Sequence, residues 1–76
     1  MKHILIIEDE RSIADLERDY LEINSLKVTI EETGKAGLRR ILKEDIDLIL
    51  LDLMLPDMDG FELCRELRHK TDIPII

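Results

Sequence analysis

The chain has 76 residues, 45% of them hydrophobic and 38% charged, with a formal net charge of −7. That length allows one small domain, able to bury about 60% of its unfolded surface, and the composition is globular, not disordered. The acidic balance excludes a nucleic-acid partner for this segment, which would need clustered Lys and Arg, and the lone cysteine, Cys64, excludes an internal disulfide. No apolar stretch approaches the ~20 residues of a membrane span, and Met1-Lys2-His3 leads into no secretory signal. A cytoplasmic setting without membrane attachment is the expectation.

His3 to Ile7 reads as the first strand, followed at once by Glu8, Asp9 and Glu10. From Glu10 to Ile23 the apolar residues Ile13, Leu16, Tyr20 and Ile23 recur every three or four positions, which predicts one face of a helix. Asp9 and Glu10 are candidate N-caps for it. The residues Asp15, Glu17, Arg18, Asp19 and Glu22 form its charged outer face. Leu26 to Ile30 carries β-branched Val28, Thr29 and Ile30 and predicts a second strand. Thr33 is the expected N-cap of a second helix with Ala36, Leu38, Ile41 and Leu42, although Gly37 inside it costs about 1 kcal/mol relative to Ala.

Asp47 to Asp52 predicts a third strand. Its unbroken run Leu48-Ile49-Leu50-Leu51 implies burial on both faces, as parallel sheets require. Leu53 to Met58 is a loop stiffened by Pro56. Asp59 is the expected cap of a third helix, with Glu62 completing a capping box and Gly60, Leu63, Cys64 and Leu67 on the inner face. Ile73-Pro74-Ile75-Ile76 begins a fourth strand. The order βαβαβαβ predicts a parallel sheet with right-handed crossovers.

The chemistry lies in the carboxylates. Glu8 and Asp9 end one apolar strand and Asp52 ends another. In an open parallel sheet, ligands bind outside the carboxyl ends of the strands, where strand order reverses. If the two strands are neighbours, the three carboxylates share one crevice, which requires a cation or a bound proton. A hard divalent ion and phosphate chemistry are the expectation. Mg²⁺ takes near-octahedral oxygen ligands and keeps several waters, so a few protein oxygens suffice.

Three segments, Ile4-Leu5-Ile6-Ile7-Glu8-Asp9-Glu10, Asp47-Leu48-Ile49-Leu50-Leu51-Asp52 and Leu55-Pro56-Asp57-Met58-Asp59-Gly60, together resemble the receiver domain of two-component response regulators in order and spacing. The resemblance covers the whole chain. It implies a flavodoxin-like sheet in the order 2-1-3-4-5, here with the last helix-strand-helix portion absent, so that residues 1–76 are the N-terminal portion of a single receiver domain with no output domain. It implies that Asp52 receives a phosphoryl group from the phosphohistidine of a sensor histidine kinase. It also implies that Asp9 binds Mg²⁺ directly, that Glu8 acts through a water, and that Met54 supplies a backbone carbonyl. Glu8 is longer than the aspartate common in the family. The family's Ser or Thr on the fourth strand, and the Lys and aromatic on the fifth, have no counterpart before Ile76, which implies impaired phosphorylation and switching. The module is a signalling switch, not an enzyme. Such regulators often control transcription through a DNA-binding output domain.

Two other readings compete. One is a Mg²⁺-dependent phosphohydrolase half-domain with an aspartyl nucleophile, but such enzymes place a second Asp two residues on, where this chain has Met54. The other is a structural, self-associating fragment. Asp57 and Asp59 read as turn and cap residues, Cys64 as a buried inert thiol, and His3 and His69 as lying away from the crevice. Arg65, Arg68, His69 and Lys70 read as a solvated helix end suited to the dipole. An uncovered sheet face over Ile4, Ile6, Leu48 or Leu50, together with an unpaired fourth strand, predicts a homodimer or higher oligomer with Ile75 and Ile76 in the interface.

Overall fold

The computed structural model describes residues 1–76. The elements alternate as β1 (His3–Ile7), α1 (Arg11–Ile23), β2 (Lys27–Glu31), α2 (Gly34–Lys43), β3 (Leu48–Leu51) and α3 (Gly60–Lys70). The three strands form a parallel sheet in the order β2-β1-β3, with Ile7 level with both Glu31 and Leu51. The predicted fourth strand joins beside β3 through a single parallel bridge, Ile49 to Ile75. The Ile49 amide donates to the Pro74 carbonyl, the Ile76 amide to Ile49 and the Leu51 amide to Ile76, each at 2.9 Å.

Burial falls differently from the expectation for β3. The strand buried along its whole length is β1, whereas in β3 only Ile49 is fully enclosed and Leu48, Leu50 and Leu51 are half-buried. The difference follows from position. β1 lies between two neighbours and is covered on both faces, while β3 has only a few residues of chain on its outer side. Leu5, Ile7 and Ile49 face α2 and α3, packing against Ile41, Leu63 and Leu67. Ile4 and Ile6 face α1 and pack against Ala14, with Leu21 alongside.

The apolar stripe of α1 does not face this core. Ile13, Leu16, Tyr20 and Ile23 are all exposed, and α1 meets the sheet through Ala14 and Leu21. Of the face expected to be uncovered over Ile4, Ile6, Leu48 or Leu50, Ile4 and Ile6 are buried while Leu48 and Leu50 are half-buried. The open apolar surface lies instead on α1, where Leu16, Tyr20 and Leu21 line a hollow with half-buried Leu50. On α2, Leu42 also points to solvent. On α3, Cys64 is only half-buried.

Capping follows the sequence in part. Thr33 Oγ1 accepts the Ala36 amide at 3.1 Å and Asp59 Oδ1 accepts the Phe61 amide at 2.8 Å. Glu62 lies in the first turn of α3 but makes no return hydrogen bond to the Asp59 amide. Glu10 occupies the N-cap position of α1 without a side-chain cap.

Candidate metal centre

The switch in strand order lies between β1 and β3, and both end at the same level. The Asp52 amide donates to the Ile7 carbonyl at 3.0 Å, so the residues just beyond each strand are neighbours. The carboxylate oxygens of Glu8, Asp9 and Asp52 lie within 4.8 Å of one another. With Glu10, Ile13 and Met54 they line an open cleft of about 410 Å³. All four sequence-predicted site residues therefore meet in one place. Glu8 and Asp52 are half-buried, while Asp9 and Met54 are exposed.

Each carboxylate is oriented locally. Glu8 Oε2 accepts the Glu10 amide at 3.1 Å, so the chain turns back over the Glu8 side chain as α1 begins. Asp52 Oδ1 accepts the Met54 amide at 3.2 Å. Burial raises the Glu8 carboxyl above its ordinary value against the opposing pull of the Glu10 amide, and the neighbouring Asp52 and Asp9 raise it further. No Lys, Arg or His lines the cleft to offset the carboxylates. Its donors are hard oxygens only, the set that suits Mg²⁺. The residues present therefore fit such an ion.

Other residues fall where the sequence reading did not place them. Glu17, assigned to the outer face of α1, lines a second cleft beside Glu8, Asp52 and Ile76. Asp57, read as a turn residue, meets the start of α2: its Oδ1 accepts the Gly34 amide at 2.8 Å and its Oδ2 the Lys35 amide at 2.9 Å. Gly60 lies directly under the phosphoacceptor candidate, where a Cβ would stand 2.8 Å from the Asp52 carbonyl oxygen. The alternation of apolar and polar residues carries no sign of either contact. His3 is buried at the far end of the sheet, its Nε2 2.7 Å from Thr29 Oγ1, and His69 is exposed in the last turn of α3.

Comparison with known proteins identifies the arrangement. The family model described as the response regulator receiver domain matches residues 4–76. The chain belongs to the receiver family of response regulators. Response regulator ArlR of Staphylococcus epidermidis is 47% identical over 76 residues, covering all of this chain and 35% of that protein. The receiver chain thus spans about a third of such a relative. Among solved structures, the response regulator TrrA of Thermotoga maritima, in complex with Mg²⁺ and BeF, superposes with a TM-score of 0.92 at 30% identity, covering 99% of this chain and 66% of that one. TrrA in complex with the histidine kinase ThkA gives a TM-score of 0.93 at 32% identity, with 99% and 66% coverage. The receiver's flavodoxin-like order is present here as strands 2-1-3, with the fourth segment beside β3. No helix is long and apolar enough to cross a membrane.

Proposed function

We propose that Asp52 is the phosphoacceptor of this receiver, and that Glu8, Asp9, Asp52 and the Met54 carbonyl hold Mg²⁺ beside it. The observation that carries this reading is the gathering of three carboxylates within 4.8 Å at the ends of adjacent parallel strands. A bound Mg²⁺ supplies charge that draws in the phosphoryl oxygens and screens them from the carboxylates. A carboxylate oxygen of Asp52 attacks phosphorus in line as the phosphorus–nitrogen bond of a phosphohistidine breaks, and the imidazole leaves with that electron pair. The protein's part is positioning and electrostatics. The donor is a sensor histidine kinase, a reading supported by the complex of the related TrrA with ThkA. A cytoplasmic setting and a role for residues 1–76 as one portion of a single receiver go with this assignment. The absence of a second acidic residue at Met54 disfavours a phosphohydrolase.

The test is acyl-phosphate formation from a phosphorylated kinase in Mg²⁺. It should be lost in Asp52→Asn, which removes the nucleophile and nearly keeps its shape, and calorimetric Mg²⁺ binding should be lost in Asp9→Ala. Undiminished labelling of Asp52→Asn overturns the acceptor assignment, and unchanged binding in Asp9→Ala overturns the metal assignment.

A second reading, self-association, rests on the exposed Leu16, Tyr20, Ile23 and Ile76. Contiguous apolar surface of this kind marks an interface. A homodimer or higher oligomer would cover it, with Ile75 and Ile76 in the interface.

A further inference from the structure

Met54 poses a positional problem. Met54 is 82% exposed, so its own side chain has no core packing to fix it, yet a metal ligand must be held to within fractions of an ångström. Hydrogen bonds hold the segment from Asp52 to Gly60 instead. The Met54 amide is tied to Asp52 Oδ1 and Met54 bridges Asp59, while the Gly60 amide donates to the Leu53 carbonyl at 2.9 Å. These ties are internal to the loop. The Asp52 amide, donating to the Ile7 carbonyl at 3.0 Å, fixes the start of the loop to β1, and Leu55 rests on the core, but no hydrogen bond runs from Met54 itself to another element.

On the far side of Met54, the side-chain tie to another element is Asp57. Its two oxygens take one amide each from Gly34 and Lys35, more than twenty residues away, at the start of α2. Next to it, Met58 lies so close to Gly34 that a Cβ there would stand 2.6 Å from Met58 Cγ. α2 in turn is seated on β1: a Cβ on Gly37 would stand 2.5 Å from Ile7 Cδ1, and Ile7 immediately precedes Glu8. A closed path thus runs from Glu8 and Asp9 through Ile7 and Gly37, along α2 to Gly34 and Lys35, across to Asp57, and back to Met54 and Asp52.

We propose that Asp57 is a positioning residue that holds the Met54 segment of the metal centre in register with the Glu8 and Asp9 side through the N-terminus of α2. The inference rests on the assignment of the metal centre above. A carboxylate is the group the position requires, since both partners are donors and each oxygen accepts one of them. An amide side chain offers one acceptor and points donors at the second backbone N–H. Met54 and Asp59 gain freedom when the clamp is released, while the core between the sheet and the helices keeps its packing.

The test measures Mn²⁺ affinity of the 76-residue protein by electron paramagnetic resonance, with amide hydrogen exchange followed in the same samples. Asp57→Ala should weaken Mn²⁺ binding roughly tenfold, the low end of the loss when groups that orient metal ligands are removed. Exchange should accelerate at Gly34, Lys35 and Met54. Asp57→Asn, which keeps one acceptor, should fall between the two. It also serves where Asp57→Ala does not fold. Wild-type Mn²⁺ affinity in Asp57→Asn, despite accelerated exchange at Gly34 or Lys35, overturns the positioning role and leaves the metal centre standing. Equal affinity in wild type and Asp9→Ala overturns the metal centre itself, and the positioning role with it.

Discussion

The Cα of Leu53 lies 2.5 Å from where a Cβ on Gly60 would stand, and the carbonyl oxygen of Asp52 only slightly farther. Both obstacles are backbone and cannot rotate aside. Two effects of Gly60→Ala therefore oppose each other. Alanine favours the helix by about 1 kcal/mol, but overpacking against fixed atoms costs about 1–3 kcal/mol, so the clash wins. Urea denaturation should show net destabilisation. Gly37→Ala should cost less, because its obstacle is the Ile7 side chain and not backbone. The reverse ranking would show that the β3–α3 loop yields more easily than the core.

Asp57 gives the protein a specific response to acid. Burial acts to raise its carboxyl, but the Lys35 and Gly34 amides outweigh it and hold the group below its ordinary value of 3.8. A carboxyl depressed on folding adds stability above its unfolded value and loses it as pH falls through the folded one. The stability gap between wild type and Asp57→Asn should thus be constant from neutrality to above pH 3.8 and close at lower pH. Melting temperatures across that range test this. A gap independent of pH down to full acid unfolding would refute it.

Glu8 has the opposite sign. Burial, together with Asp52 and Asp9, raises it above 4.5. Its favourable contribution is therefore complete below that value and disappears as pH rises through the folded one. At pH 7 the metal-free protein carries the repulsion, so Glu8→Gln should melt higher than wild type in EDTA, and the difference should fade towards pH 4.5. Mg²⁺ should reverse the ranking, since an ion at a hundred times its Kd stabilises by about 2.7 kcal/mol and Glu8→Gln binds it less well. Identical melting of both proteins with and without Mg²⁺ would remove Glu8 from the site.

The carboxylate cluster was legible in the sequence because each member directly follows an apolar strand, and chain order then fixes which strand ends are adjacent. The stripe on α1 was legible as a stripe but not as a surface. Periodicity locates Ile13, Leu16, Tyr20 and Ile23 on a common side without saying what covers that side. The contact with the sheet uses Ala14, whose small side chain allows close approach but carries little weight in a hydrophobic pattern. Asp57 was legible as a turn residue and not as the cap of α2, since a hydrogen bond spanning 23 residues leaves no local periodicity.

That reading of α1 separates two kinds of substitution. Leu16 is 72% exposed and Tyr20 68%, so replacing both with lysine removes little buried area. Stability should change by no more than about 0.5 kcal/mol per site, as for ordinary surface positions. The same change places two cations in the hollow beside Leu50, where a second copy of the chain would have to bury them, and sedimentation equilibrium should show a shift towards monomer. Ala14→Leu should behave in the opposite way. Ala14 is fully buried against Ile4 and Ile6, and three added carbons there push α1 off the sheet at a cost of about 1–3 kcal/mol. Unfolding by urea at low protein concentration isolates that cost from association. If the double lysine variant instead unfolds as easily as Ala14→Leu while remaining monomeric at every concentration, then α1 docks on the sheet through Leu16 and Tyr20 in solution, and the apolar surface assigned to self-association belongs to the protein's own core.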